Sequence, residues 1–259
     1  MHSTFDNISN FINKEKDIIS IAHDEKYLSP NSILISGISH KDVVLIVINK
    51  KDVVVDNTCF NKAELKTYNS LTQLNIAEQE GIIQRIETFI KKNISEFNPL
   101  SLAFLMKPEL EENFETRFQK AFVKQIKLAW KEISEGNLLQ GIKKIKGAGM
   151  GLTPGGDDFI TGMLYALFLI DKTENKDTSK LRKSIYEAAI SNNDISRNMI
   201  YHASRGAYFK QFKELQIAFI NNDKYVKDYL IKLIKIGETS GSDMLTGYFL
   251  CLKYLKDKI

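Results

Sequence analysis

The chain has 259 residues, of which 43% are apolar and 26% charged, with a formal net charge of +4. This is ordinary globular usage, enough for one large or two small domains, and it excludes a low-complexity chain. Lysines are dispersed, which argues against nucleic acid as a partner. Cys59 and Cys251 lie far apart without a Cys-x-x-Cys, which argues against a zinc site or a disulfide scaffold.

In chain order, the first stretches with a pattern are β-branched runs: Ser32–Ile38, Val43–Ile48 and Val53–Val55. Asn49–Asp52 supplies turn residues for a hairpin. From about residue 76 the spacing becomes helical. Helices are expected over Glu78–Asn93, Glu115–Ile133, Leu138–Ile145, Asp157–Ile170, Ser179–Ile190, Ser196–Tyr208, Gln211–Asn221, Lys224–Ile236 and Asp243–Leu255. Asp157–Ile170 and Asp243–Leu255 are apolar nearly all round and should form two buried central helices. The fold class is therefore α+β, with a β-rich region over residues 1–100 and a helical domain over 101–259, and Pro99–Pro108 as the seam. The opening Met-His-Ser-Thr-Phe-Asp has no signal-peptide pattern. The longest apolar run, Phe159–Ile170, is too short to span a bilayer, so a cytoplasmic protein is expected.

Residues 147–162 read Gly-Ala-Gly-Met-Gly-Leu-Thr-Pro-Gly-Gly-Asp-Asp-Phe-Ile-Thr-Gly, and 237–247 read Gly-Glu-Thr-Ser-Gly-Ser-Asp-Met-Leu-Thr-Gly. Both contain Gly-x-Thr-x-Gly-x-Asp and both open an apolar run, so each is a glycine-rich turn feeding a helix N-terminus. Such starts expose unpaired N–H groups and partial positive charge, which suits a small anion. A P-loop is excluded, because Asp157 and Asp158 follow Gly156 where Lys and Ser/Thr are required. The dinucleotide fingerprint fails at Leu152. Gly155 and Gly156 can take positive φ and bring amides to a ligand, and Thr153 and Pro154 add a hydroxyl and stiffness. In the second copy Thr239, Ser240, Gly241 and Ser242 offer the same. Asp157 and Asp243 also fit plain helix N-caps, and Gly162 and Gly247 also fit close helix packing. Asp158 is an acid before apolar residues. It is a candidate general base, or a group that orients a substrate amide. Ser196 is placed to cap a helix or touch a ligand, while Arg197 and Arg205, two helical turns apart, can fork to a carboxylate or phosphate. His202, with no Ser or Cys partner, reads as structural.

The stretch Gly147–Gly162 resembles the signature of the AllH family, supported by Ser196–Gly206 and by Thr239–Asp243. The resemblance implies a subunit of oxamate carbamoyltransferase, in allantoin and purine catabolism, converting oxalurate and phosphate to oxamate and carbamoyl phosphate. It also implies AllG-like and FdrA-like partner subunits. Gly155 stands where the family more often has Ser, and Met150 where Pro is commoner. On this reading Thr153, Gly155, Gly156, Ser196, Arg197, Arg205, Thr239, Ser240 and Gly241 bind a small anion. Asp157, Asp158 and Asp243 position the nucleophile or the loops. No cofactor is required, and Mg²⁺ on the three aspartates is one alternative. A non-catalytic anion-binding or assembly subunit is another.

Overall fold

The computed structural model describes residues 1–37, 39–71 and 81–258. It divides into two units, Met1–Thr72 with Tyr208–Lys213, and Gln73–Ala207 with Glu214–Ile259. Among the described residues no helix is long and apolar enough to cross a membrane.

The first unit holds two sheets. Strands β1 (Ser3–Thr4), β2 (Ile8–Ile12), β3 (Ile18–Ala22) and β4 (Ser32–Leu34) lie side by side in that order. The β3–β4 pair is parallel and the other two pairs are antiparallel. Strands β5 (Ile46–Ile48), β6 (Asp52–Val55) and β7 (Thr58–Asn61) form an antiparallel meander. The expected hairpin is present: the Asn49 side-chain oxygen accepts the Lys51 and Asp52 amides, which closes the turn between β5 and β6. Phe11, Ile21, Ile35, Val43, Val53 and Val55 form a shared core. Strands β1, β2, β3 and β7 are missing from the sequence-based expectation. In β2 and β3 the face opposite Phe11 and Ile21 is buried too and carries polar side chains, Asn10 and Ser20, joined by a 2.7 Å hydrogen bond. A satisfied polar pair packs like an apolar one but hides the alternation. The expected strand at Ser32–Ile38 is shorter, with Ile38 outside the described residues, and that at Val43–Ile48 begins only at Ile46.

The second unit is helical. Helices α1 (Ile82–Lys92), α2 (Arg117–Ser134), α3 (Leu138–Ile145) and α4 (Gly155–Thr173) lead to α5 (Ser179–Ala189) and α6 (Asp194–Ser204). Helices α7 (Lys210–Ile220), α8 (Val226–Ile234) and α9 (Ser240–Leu255) follow. Every expected helix is present, α3 with its expected bounds and the others with one or both ends displaced by a few residues. The first residues expected for α1, Glu78–Glu80, lie outside the described residues. Pro99–Pro108 lies inside this second unit, where its 3₁₀ turn Leu102–Leu105 packs on α9.

Helices α4 and α9 are the central pair and are buried nearly throughout. They meet backbone to backbone. A methyl at Gly162 would fall 1.8 Å from the Met244 carbonyl oxygen, and one at Gly247 would fall 2.0 Å from that of Phe159. The two contacts exchange under a shift of 85 residues, so the α3–α4 and α8–α9 segments are related by approximate two-fold symmetry. Two more features repeat: the threonine bonds at the same shift, and the glycine contacts with the two glycines 85 residues apart but the carbonyls they abut 88 apart. Gly156 abuts the Ile145 carbonyl at the end of α3, and Gly241 abuts that of Leu233 near the end of α8. The Thr161 hydroxyl donates to the Asp157 carbonyl, and the Thr246 hydroxyl to that of Ser242.

Candidate functional site at two helix starts

The shift of 85 corrects the alignment read from the sequence by one residue. Gly-x-Thr-x-Gly-x-Asp pairs Asp157 with Asp243, whereas within the helices Asp158 pairs with Asp243 and Asp157 with Ser242. Helix α4 begins at Gly155 and α9 at Ser240, which puts Asp158 and Asp243 each at the fourth helical position. The N-cap positions belong to Pro154 and Thr239. Asp157 and Asp243 are therefore not N-caps: their carboxylates bond to backbone outside their own helices. Gly147 donates its amide to Asp157 Oδ1 at 2.7 Å, and Leu102 donates to Asp243 Oδ1 at 2.6 Å.

The two turns meet. Thr153 Oγ1 lies 3.3 Å from Ser240 Oγ. Thr153, Thr239 and Ser240 are half-buried at the surface of this junction, while Asp158 and Asp243 are buried beneath it. The Asp243 carboxylate reaches across to α4, where a methyl on Gly155 would sit 2.8 Å from its Oδ2. Gly155, Gly156 and Gly241 are needed for this close approach rather than for positive φ, because all three lie in helical backbone. Positive φ falls instead at Gly147, Gly149 and Gly151 of the first turn and Gly237 of the second.

A third helix start joins the first turn. Asn193 caps α6 by accepting the Ser196 amide, and its side-chain nitrogen donates to the Leu152 carbonyl at 2.7 Å. Ser196 is thus inside the first turn of α6 rather than its cap, fully buried, with its hydroxyl beside Asp157. Arg197 forms an ion pair with Asp194 at 2.9 Å. Arg205 ends α6, exposed, with its guanidinium over the Tyr201 ring. Eight residues of helix separate the two arginines by about 12 Å along the axis, so they do not form one fork.

The electrostatics follow from burial. Burial pushes Asp157 above the usual carboxylate range, partly offset by the Gly147 amide, the Ser196 hydroxyl and Lys146. Asp243 is pushed up to about 7 by burial against the pull of the Leu102 amide and the Thr239 hydroxyl. Asp158 is raised well above the ordinary value, first by burial and then by the Asp243 charge beside it. The Ser240 and Thr153 hydroxyls are near enough to ease that charge, yet no hydrogen bond of ordinary geometry reaches either Asp158 oxygen. Asp157 Oδ2 and Ser196 Oγ are also buried without a hydrogen-bond partner.

Several helix-start amides are committed within the chain. Gly156 donates to the Ala148 carbonyl, Asp157 and Asp158 to that of Pro154, and Gly241 to that of Ile236. Among the described residues no group of three or more His, Cys, Asp or Glu is placed to hold a metal ion.

The segment that sequence reasoning missed is 98–102. The Asn98 amide donates to Ser242 Oγ, its side chain donates to the Glu238 carbonyl, and Leu102 holds Asp243. The legible signal was Asn98 and Ser101, both turn and cap formers.

No curated protein and no solved structure matches the chain. The family model described as oxamate carbamoyltransferase subunit AllH does match, and the resemblance read from Gly147–Gly162 is shown. The chain matches the AllH family through residues 145–252, a stretch that holds both turns, Ser196, Asp158 and Asp243.

Proposed function

We propose that this chain is a subunit of an oxamate carbamoyltransferase-like complex, and that the junction of the two turns binds its small anionic substrate. The observation that carries the reading is the 3.3 Å meeting of Thr153 and Ser240 inside the stretch matched by the AllH model. In the reaction the AllH name implies, a phosphate oxygen attacks the ureido carbonyl carbon of oxalurate. The bond from that carbon to the oxamate nitrogen breaks, and the nitrogen takes up a proton. A carboxyl whose hold on its proton is strengthened by burial is suited to supply it, which supports Asp158 in that role. The Thr153, Thr239 and Ser240 hydroxyls supply donors to the anionic end. Arg197 and Arg205 remain candidates for anion binding at the first and last turns of α6. AllG-like and FdrA-like chains are the proposed partners.

The test is reconstitution with those partners, followed by phosphate-dependent consumption of oxalurate. The expected result is turnover that falls about 100-fold or more in Asp158→Asn, the scale of a lost general acid. Full turnover by that variant would remove Asp158 from the mechanism. Full turnover by a complex lacking this chain would overturn the catalytic reading in favour of an assembly subunit.

A further inference from the structure

At the junction of the turns, the buried groups left without partners are mainly acceptors. Asp157 Oδ2 and both Asp158 oxygens lack hydrogen bonds, as does the Ser196 hydroxyl, which can serve either way. Asp158 is 1% exposed and Ser196 is 0% exposed. The donors expected at a helix start are directed elsewhere: the Gly156 and Gly241 amides donate to carbonyls, and the Gly147 and Leu102 amides to aspartates. A bare carboxylate or phosphate brought to the Asp158 side would find at most the one O–H of a protonated Asp158, and its remaining oxygens would face oxygen lone pairs, a mismatch costly in a buried setting.

We infer that the Asp158 side of the junction recognises a primary amide or ureido group, whose N–H donors point inward at Asp158 while the ligand's carboxylate points out toward the Thr153 and Ser240 hydroxyls. This rests on the reading that the junction is a substrate site, and it fixes which end of the substrate enters. A protonated carboxyl offers one O–H donor and one C=O acceptor. A primary amide offers the complementary pair, so two hydrogen bonds close a ring between them. Burial, and then the Asp243 charge beside it, favour that protonated form of Asp158. The approximate symmetry gives no second such position, because Asp243 already holds the Leu102 amide.

Oxamate and oxalate differ at one group, –NH₂ against –O⁻, and separate the amide end from the acid end. Calorimetric titration of the full-length chain is expected to show oxamate binding at least ~10-fold more tightly than oxalate, the scale of one or two buried hydrogen bonds. Asp158→Leu should lower oxamate affinity at least ~10-fold and leave oxalate unchanged. Asp158→Asn, which still offers one donor and one acceptor, should restore oxamate binding to within a few-fold of wild type. Equal binding of oxamate and oxalate, or unchanged oxamate binding by Asp158→Leu, overturns the inference while leaving the substrate site in place. Binding of neither oxamate, oxalate nor phosphate overturns both.

Discussion

Asp157, Asp158 and Asp243 are buried carboxyl groups, and burial raises each above its ordinary value, Asp243 to about 7. Among the described residues Lys146 is the cation that eases Asp157. An acid whose folded pKa lies above its unfolded pKa binds more protons in the native state between those two values. Its contribution to stability is therefore greatest below about pH 4 and is lost as pH rises. For Asp243 the loss runs from about pH 4 to about 7, and Asp158, raised in the same direction, adds to it. For Asp243 alone the change is on the order of a few kcal/mol. Exposed acids such as Asp24 and Glu25 are shifted the other way, so the readout is a difference between proteins. Urea denaturation from pH 4 to pH 8 should show wild type losing stability relative to Asp158→Asn, with the variant equal or better at pH 8. A gap that stays constant with pH would mean Asp158 is ionised in the folded chain.

At the scale of elements, the α4–α9 pair depends on missing side chains. Gly162→Ala would press a methyl into the Met244 carbonyl, and Gly247→Ala into that of Phe159. Backbone cannot yield as a side-chain tip can, so each should destabilise by on the order of 3 kcal/mol. Gly155→Ala meets only the Asp243 carboxylate and should cost less. Chemical denaturation of the three variants checks the order, and Gly162→Ala as stable as wild type would contradict the packing. The helices were legible in the sequence because their apolar spacing is strong: Leu138–Ile145 is α3 to the residue. Repetition of the turn pattern was legible, whereas the meeting of the two turns at Thr153 and Ser240 comes from the structure. What stayed hidden had physical causes. Asn10 and Ser20 satisfy each other inside the first sheet, so β2 and β3 lack the alternation that marks a strand. The repeat aligns on Asp157 by spelling, but Asp158 occupies the position equivalent to Asp243, because helix packing sets that register rather than the turns. Leu102 serves Asp243 through its backbone, and a backbone donor leaves no mark in a residue alphabet.

For the whole molecule, the candidate site lies in the second unit and within the AllH match, while residues 1–144 lie outside the match. That unit is organised around two related helix pairs, α3–α4 and α8–α9, and the proposed chemistry lies where their second helices begin. The account turns on these two starts forming a single site, closed at its rim by Thr153 and Ser240. Their oxygens, 3.3 Å apart, put the side chains within reach of a disulfide. The direct measurement is therefore oxamate binding by Thr153→Cys/Ser240→Cys in a Cys59→Ser background, before and after reduction. The oxidised protein should be cross-linked, seen as a loss of about two mass units on disulfide formation, and should not bind oxamate, with binding returning when the bridge is reduced. A bridge that never forms, or a cross-linked chain that binds as the reduced one does, would contradict a shared site at the junction of these two turns.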